Sequence, residues 1–259
     1  MAPATLVLAA VFAAAIGLTL GLIGGGGSIL TVPVFAYVLG YPAKQAIAMA
    51  LPVVGVASLV GVYGHWRVGN VNWRVALSFG VVAMAGAYGG AQLARLVSGS
   101  AQLTMLGLVM VAAALSMLHS AGSAERAADP ARPHSLPLIG VVGLSVGILT
   151  GLVGIGGGFV IVPALVLIVG VPIRQAIGTS LAVIAMNSLS AFAGYLGQTP
   201  FDWPAIGLFT IVTVGGILAG TRLGARVRPA HLKQGFAIFL LFVAAFILYQ
   251  NRGALFGAA

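Results

Sequence analysis

GLTLGLIGGGGSILTVPV, residues 17–34, and GILTGLVGIGGGFVIVPA, residues 147–164, decide the fold. They lie 130 positions apart and are identical at eight of eighteen positions. The same offset lays Gly40-x-Pro42-x-Lys44-Gln45-Ala46-Ile47 on Gly170-x-Pro172-x-Arg174-Gln175-Ala176-Ile177. Further along, Trp73 falls on Trp203, Gly86 and Gly90 fall on Gly216 and Gly220, and Leu93 falls on Leu223. A repeat that runs the length of the chain without a gap indicates a duplicated bundle, with a site where the copies meet.

The composition says where that bundle lives. Of 259 residues, 60% are hydrophobic, 38 are glycine and only 6% are charged. Soluble domains carry about a quarter charged residues, so this is a polytopic membrane protein. Glycine at this frequency lets helices approach closely in lipid. The net charge of +9 does not indicate nucleic acid, because the basic residues stand singly or in pairs between apolar spans. The absence of cysteine excludes disulfides, iron–sulfur clusters and Cys-ligated zinc.

Ten apolar segments can be marked, at 5–23, 28–39, 46–64, 75–96, 101–119, 137–153, 158–170, 176–195, 204–221 and 235–250. The polar stretch 120–136 holds two of the three carboxylates and reads as a linker. The expected organisation is a first membrane repeat (1–119), a cytoplasmic linker (120–136) and a second membrane repeat (137–259). If each glycine cluster is a turn, each half has an odd number of segments and the copies are inverted. Arg67, Arg74, Arg126, Arg132, Arg174, Arg222, Arg226, Arg228 and Lys233 then share one face, opposite Lys44, Arg95 and Arg252. That division obeys the positive-inside rule and puts both termini outside the cytoplasm. The fold expected is all-α: two inverted repeats of about five segments each, with broken or re-entrant glycine-rich hairpins.

Chemistry is carried first by the glycine clusters Gly24-Gly25-Gly26-Gly27-Ser28 and Gly154-Ile155-Gly156-Gly157-Gly158, each followed by a proline, Pro33 or Pro163. Unwound backbone at membrane depth must line protein or a water-filled cavity, and a helix starting there turns free N–H groups toward an anion. Close helix packing is the competing explanation. Gln45 and Gln175 open the next helices, where Lys44 and Arg174 are either interfacial anchors or electrostatic lures at two entrances. In the segment 176–195, Thr179, Ser180 and Asn187 are polar, and Ser180 and Asn187 share a helical stripe. A buried amide there bonds a neighbouring helix or a substrate. The first half has Met49, Ala50 and Ala57 at those positions, so a polar site there would be asymmetric. Arg95 and Arg222 offer oxyanion forks or snorkel to the interface.

The carboxylates Glu125, Asp129 and Asp202 all fall in loops, and the four histidines fall in loops or at span ends. Nothing in the spans suits a cation pump, a metal centre or a hydrolytic base, so no enzyme activity and no cofactor are expected.

The duplicated glycine motif, with KQAIAMAL (44–51) and RQAIGTSL (174–181), resembles the TauE/SafE family of sulfite exporter-like membrane permeases over nearly the whole chain. That resemblance implies transport of small sulfur-containing anions, such as sulfite, sulfoacetate and other organosulfonates, across the bacterial inner membrane. The residues themselves suit a small anionic substrate, the lipid bilayer and alternating access between the halves. A passive anion channel, or a carrier of another small carboxylate or sulfate-like anion, has the same electrostatic needs. A single copy and a homo-oligomer are both compatible with the sequence.

Overall fold

A computed structural model of the chain describes residues 3–119, 136–154, 158–167, 169–223 and 229–252, with no strand among them. The first repeat gives α1 (Pro3–Ile23), a broken segment, α3 (Ala43–Arg67), α4 (Trp73–Leu93) and α5 (Gly99–His119). The broken segment is a 3₁₀ stretch (Gly26–Leu30), a single α-turn, α2 (Thr31–Pro33), and a π-helical turn (Val34–Val38). The second repeat gives α6 (Leu136–Val153), α7 (Gly158–Leu167), α8 (Ile173–Tyr195), α9 (Trp203–Leu223) and α10 (Pro229–Gln250). All ten segments read from the sequence are present, and α8, α9 and α10 each begin 130 positions after their counterparts. Among the described residues six helices are long and apolar enough to cross a membrane: α1, α3, α4, α5, α8 and α9.

Local chemistry repeats with the same offset. Gly24 and Gly154 end α1 and α6 with φ of 88° and 74°, left-handed values that glycine adopts without strain. Gly40 and Gly170 do the same before the next helices, at 76° and 73°. Pro42 and Pro172 then hold extended backbone as the N-caps of α3 and α8. Asn72 Oδ1 accepts the Val75 N–H at 3.2 Å, and Asp202 Oδ1 accepts the Ala205 N–H at 3.1 Å, capping α4 and α9 alike.

The halves are intertwined. α1 packs on α9 and, equivalently, α6 packs on α4. These helices meet backbone to backbone: a Cβ on Gly17 or Gly21 would strike α9 at Thr213 or Ile217, and one on Gly147 or Gly151 would strike α4 at Ala83 or Ala87. Without a hydrophobic drive between helices in lipid, such close approach is what holds them together.

α3 and α8 lie at the centre and are the most enclosed of the long helices. They run antiparallel, since Gly55 of α3 packs on Ser188 and Leu189 of α8, whereas Gly61 packs on Leu181. Lys44, at the start of α3, therefore lies at the opposite end of the bundle from Arg174, at the start of α8.

Other contacts sort the remaining charges. Lys44 Nζ donates to the Arg95 carbonyl at 3.3 Å, and Asn251, beside Arg252, donates to the Tyr37 hydroxyl at 2.7 Å. Lys44, Arg95 and Arg252 thus share one end. Gly178 packs on Asn70 and His65, and Gly64 on Thr221, which groups Arg67, Arg74, Arg174 and Arg222 at the other. The exposed rings of Trp73 and Trp203 mark the two ends, as aromatic residues do at membrane interfaces.

Candidate functional site

The two glycine turns meet in the middle of the molecule. Gly25 and Gly158 lie against each other so closely that a Cβ on either would overlap the other's backbone. Each turn is also keyed to the opposite half: Gly24 sits on Ile177, and Gly154 on Ile47. These isoleucines end the two Gln-Ala-Ile motifs, so the two repeated motifs form one interlocked structure. Gly27 faces α1 at Ile16 and Thr19. Gly26 opens the 3₁₀ stretch, and Gly156 and Gly157 lie outside the described residues.

The first copy is a broken segment over 28–39, as its glycine-rich hairpin leads one to expect. The Leu39 N–H reaches back to the Val34 carbonyl at 3.0 Å, a π-type bond, just after Pro33, which has no N–H to give. Ser28 is fully buried and donates to the Gly25 carbonyl at 2.9 Å, tying the turn to itself. The anion-facing helix start expected at Ser28 is therefore a short 3₁₀ stretch. At Gly158 the second copy does begin an α-helix, of ten residues.

The other sequence-derived residues divide by what already occupies their polar atoms. Thr179 Oγ1 accepts the Asn72 N–H at 2.9 Å, which docks the α3–α4 turn onto α8. Ser180 donates to the Ile177 carbonyl of its own helix at 2.7 Å. Gln45 and Gln175 are half-buried near the two helix starts, at opposite ends of the bundle. Arg95, Arg174 and Arg222 are exposed at the ends, and Lys44 is half-buried against the Arg95 carbonyl. None of the four is at the central glycine junction.

Asn187 is different. It is fully buried on α8, and neither its Nδ2 nor its Oδ1 has a hydrogen-bond partner. It lies one turn beyond Ile184, which packs on Gly158, and so belongs to the stripe of α8 that faces the glycine turns. An amide left unsatisfied in an apolar interior costs about 1–3 kcal/mol. Three fully buried hydroxyls share this state: Thr31 on α2, Ser58 on α3, and Ser188 on α8, which follows Asn187 in the Asn-Ser pair within the apolar run. Ser58 and Ser188 are exact repeat equivalents, and that offset alone could have flagged them.

A multi-pass helical bundle with intertwined halves and unsatisfied polar groups at their meeting point has the architecture of a membrane transporter. Residues 8–247 match the family model described as sulfite exporter TauE/SafE, and the chain belongs to that family. It is 32% identical to a probable membrane transporter protein of Xylella fastidiosa strain Temecula1, over 93% of this chain and 94% of that one. It is 24% identical to the probable membrane transporter protein MJ0441 of Methanocaldococcus jannaschii, over 90% and 91%. It is also 24% identical to the probable membrane transporter protein YdhB of Bacillus subtilis, over 87% and 92%. No solved structure matches the chain.

Proposed function

We propose that this transporter is a permease for small sulfur-containing anions, sulfite or organosulfonates, working by alternating access between two inverted repeats. The observation that carries this reading is Asn187: a fully buried amide with two unused polar atoms, on the stripe of α8 that faces the joined glycine turns. Backbone N–H groups at the start of α7 and the Asn187 amide would supply donors to an anionic head group. The glycines leave room for that group to approach the main chain. Gln45 and Gln175, half-buried at the two helix starts, stand nearest the ends of the bundle, where the exposed arginines and Lys44 concentrate anions.

The antiparallel run of α3 and α8, with their basic residues at opposite ends, supports inversion. Residues 120–136 then form a cytoplasmic linker, and both termini lie outside the cytoplasm of a bacterial inner membrane. The family name supports a sulfur oxyanion as substrate, and the substrate crosses without chemical change.

The test is a thermal-shift screen of purified protein against sulfite, sulfoacetate, taurine, thiosulfate and sulfate, followed by flux into proteoliposomes. A ligand that binds the native state raises apparent stability with concentration. Saturable uptake of a stabilising anion supports the reading. Flux that rises linearly with concentration identifies a channel, and absence of both stabilisation and flux overturns the proposal.

A further inference from the structure

The register of α3 on α8 fixes where the two central helices cross. Gly55 meets Ser188 and Leu189, and Gly61 meets Leu181, so equivalent positions coincide between Val56 and Ala57 on α3 and between Met186 and Asn187 on α8. Ser58, Asn187 and Ser188 all lie within about two residues of that midpoint, ~3 Å along either helix axis. Gly55 brings the two helices close here: a Cβ on it would press on the Leu189 side chain at 3.1 Å and would touch the Ser188 Cβ at 3.5 Å, an ordinary contact.

Hydroxyls buried in helices ordinarily bond a carbonyl one turn back. Here Thr150 donates to Val146 at 2.8 Å, Thr213 to Phe209 at 2.8 Å and Ser180 to Ile177 at 2.7 Å. Ser58 and Ser188, equally buried, do not, and the Asn187 amide beside them has no partner either. Three groups without partners at one level of the central helix pair, two of them repeat equivalents, have a common explanation in a ligand that bonds them together.

We infer that Ser58, Ser188 and Asn187 form an uncharged hydrogen-bonding site at the α3–α8 midpoint, which binds an oxyanion whose remaining groups carry no positive charge. This rests on the anion-permease reading and extends it to the residues and the ligand class. Two hydroxyls and an amide supply donors to several acceptor oxygens, and an uncharged site releases its ligand more readily than an arginine clamp. The hydroxyl and amide oxygens could accept from an ammonium group, but at membrane depth its charge would have no carboxylate to pair with. The one carboxylate among the described residues, Asp202, lies at the end of the bundle, bonded to Tyr41.

The experiment uses full-length protein in nanodiscs and calorimetric titration with sulfite, isethionate and taurine. The last two differ only in carrying a hydroxyl or an ammonium group. Ser58→Ala and Ser188→Ala should each weaken sulfite binding about fivefold and the double variant more than about tenfold, the effect of one and two lost hydrogen bonds. Without ligand, both single variants should unfold at or above the unmodified temperature, because each removes an unsatisfied hydroxyl. Ser190→Ala, whose hydroxyl bonds the Met84 carbonyl, should bind sulfite normally. Should the double variant not purify, Ser188→Cys, nearly isosteric but a weak donor, should show the same loss.

Isethionate should bind more tightly than taurine. Unmodified sulfite affinity in the serine variants overturns this site while leaving the permease reading standing, and tighter taurine binding overturns the ligand class. No binding of sulfite, isethionate or taurine by the unmodified protein, together with no shift in the wider anion screen, overturns both.

Discussion

Gly154 rests on Ile47, with no space for a Cβ between them, and its φ of 74° lies in the left-handed region. Two motifs that look independent in the sequence are therefore one joint, repeated where Gly24 meets Ile177. Gly154→Ala is expected to add about 1–2 kcal/mol of backbone strain to the steric conflict and lower the unfolding temperature by several degrees. Adding Ile47→Ala should cost less than the sum of the two single changes, since it removes the methyl that the new Cβ strikes while leaving φ unchanged. Gly89→Ala, in open space on α4, should be neutral or stabilising by up to about 1 kcal/mol. Equal stability of Gly154→Ala and Gly89→Ala would remove the joint as an explanation for the paired motifs.

A second joint lies at the end of the bundle, where the Tyr41 hydroxyl donates to Asp202 Oδ2 at 2.7 Å. Burial first, and then the neighbouring Asp202, push the Tyr41 hydroxyl up to about 12, while the bonds from Tyr41 and the Ala205 N–H hold the Asp202 carboxyl below its ordinary value. A depressed carboxyl stabilises above its unfolded pKa, near pH 4, and the contribution fades as pH falls through the lower folded value. The raised tyrosine contributes fully below about pH 10 and loses that contribution as pH climbs toward its folded value. Asp202→Ala should cost about 1 kcal/mol at pH 7, for the lost cap and phenol bond, and flatten the acid limb of unfolding temperature against pH. An unchanged acid limb would show that the pair does not control it.

Thr179 reads in the sequence as a substrate contact, yet its oxygen is already engaged by the Asn72 N–H. Thr179→Val keeps the shape and strands that N–H, so stability should drop by about 1–3 kcal/mol with little change in anion affinity. A selective loss of affinity would return Thr179 to the binding site.

The chain contains no cysteine, so single cysteines at Ala127 and Gly253 can be labelled without other reactive thiols. The inverted arrangement predicts labelling of the two from opposite sides of the membrane by an impermeant maleimide. Labelling of both from one side would refute it.

The repeat offset made the helices legible, because each start is set by local chemistry: the Gly-x-Pro turn before α3 and α8, and the Asn72 and Asp202 caps before α4 and α9. The site was only partly legible. Asn187 stood out as an amide within an apolar run, but whether Thr179 and Ser180 keep free polar atoms depends on a loop and a rotamer. The repeat offset pairs Ser58 with Ser188, but that the two stand at one level of the bundle depends on the register of α3 on α8, which periodicity within either helix does not encode. The break at Val34–Val38 likewise reflects how the segment after Pro33 fits between its neighbours.

Asn187 gives the sharpest contrast between binding and packing. Both of its polar atoms lack partners, so in the absence of ligand its burial costs stability, and leucine of similar size would fill the same space without that cost. Asn187→Leu is therefore expected to raise the unfolding temperature of the ligand-free protein. The same change removes a donor from the proposed site, which should weaken sulfite binding by about tenfold, or ~1.4 kcal/mol. A residue that merely ties two helices together predicts the reverse: lower stability and unchanged affinity. Measuring both quantities on one preparation decides between them, since higher stability with lost affinity is the expected signature of a group kept unsatisfied for a ligand, and lower stability with normal sulfite binding would assign Asn187 to helix packing.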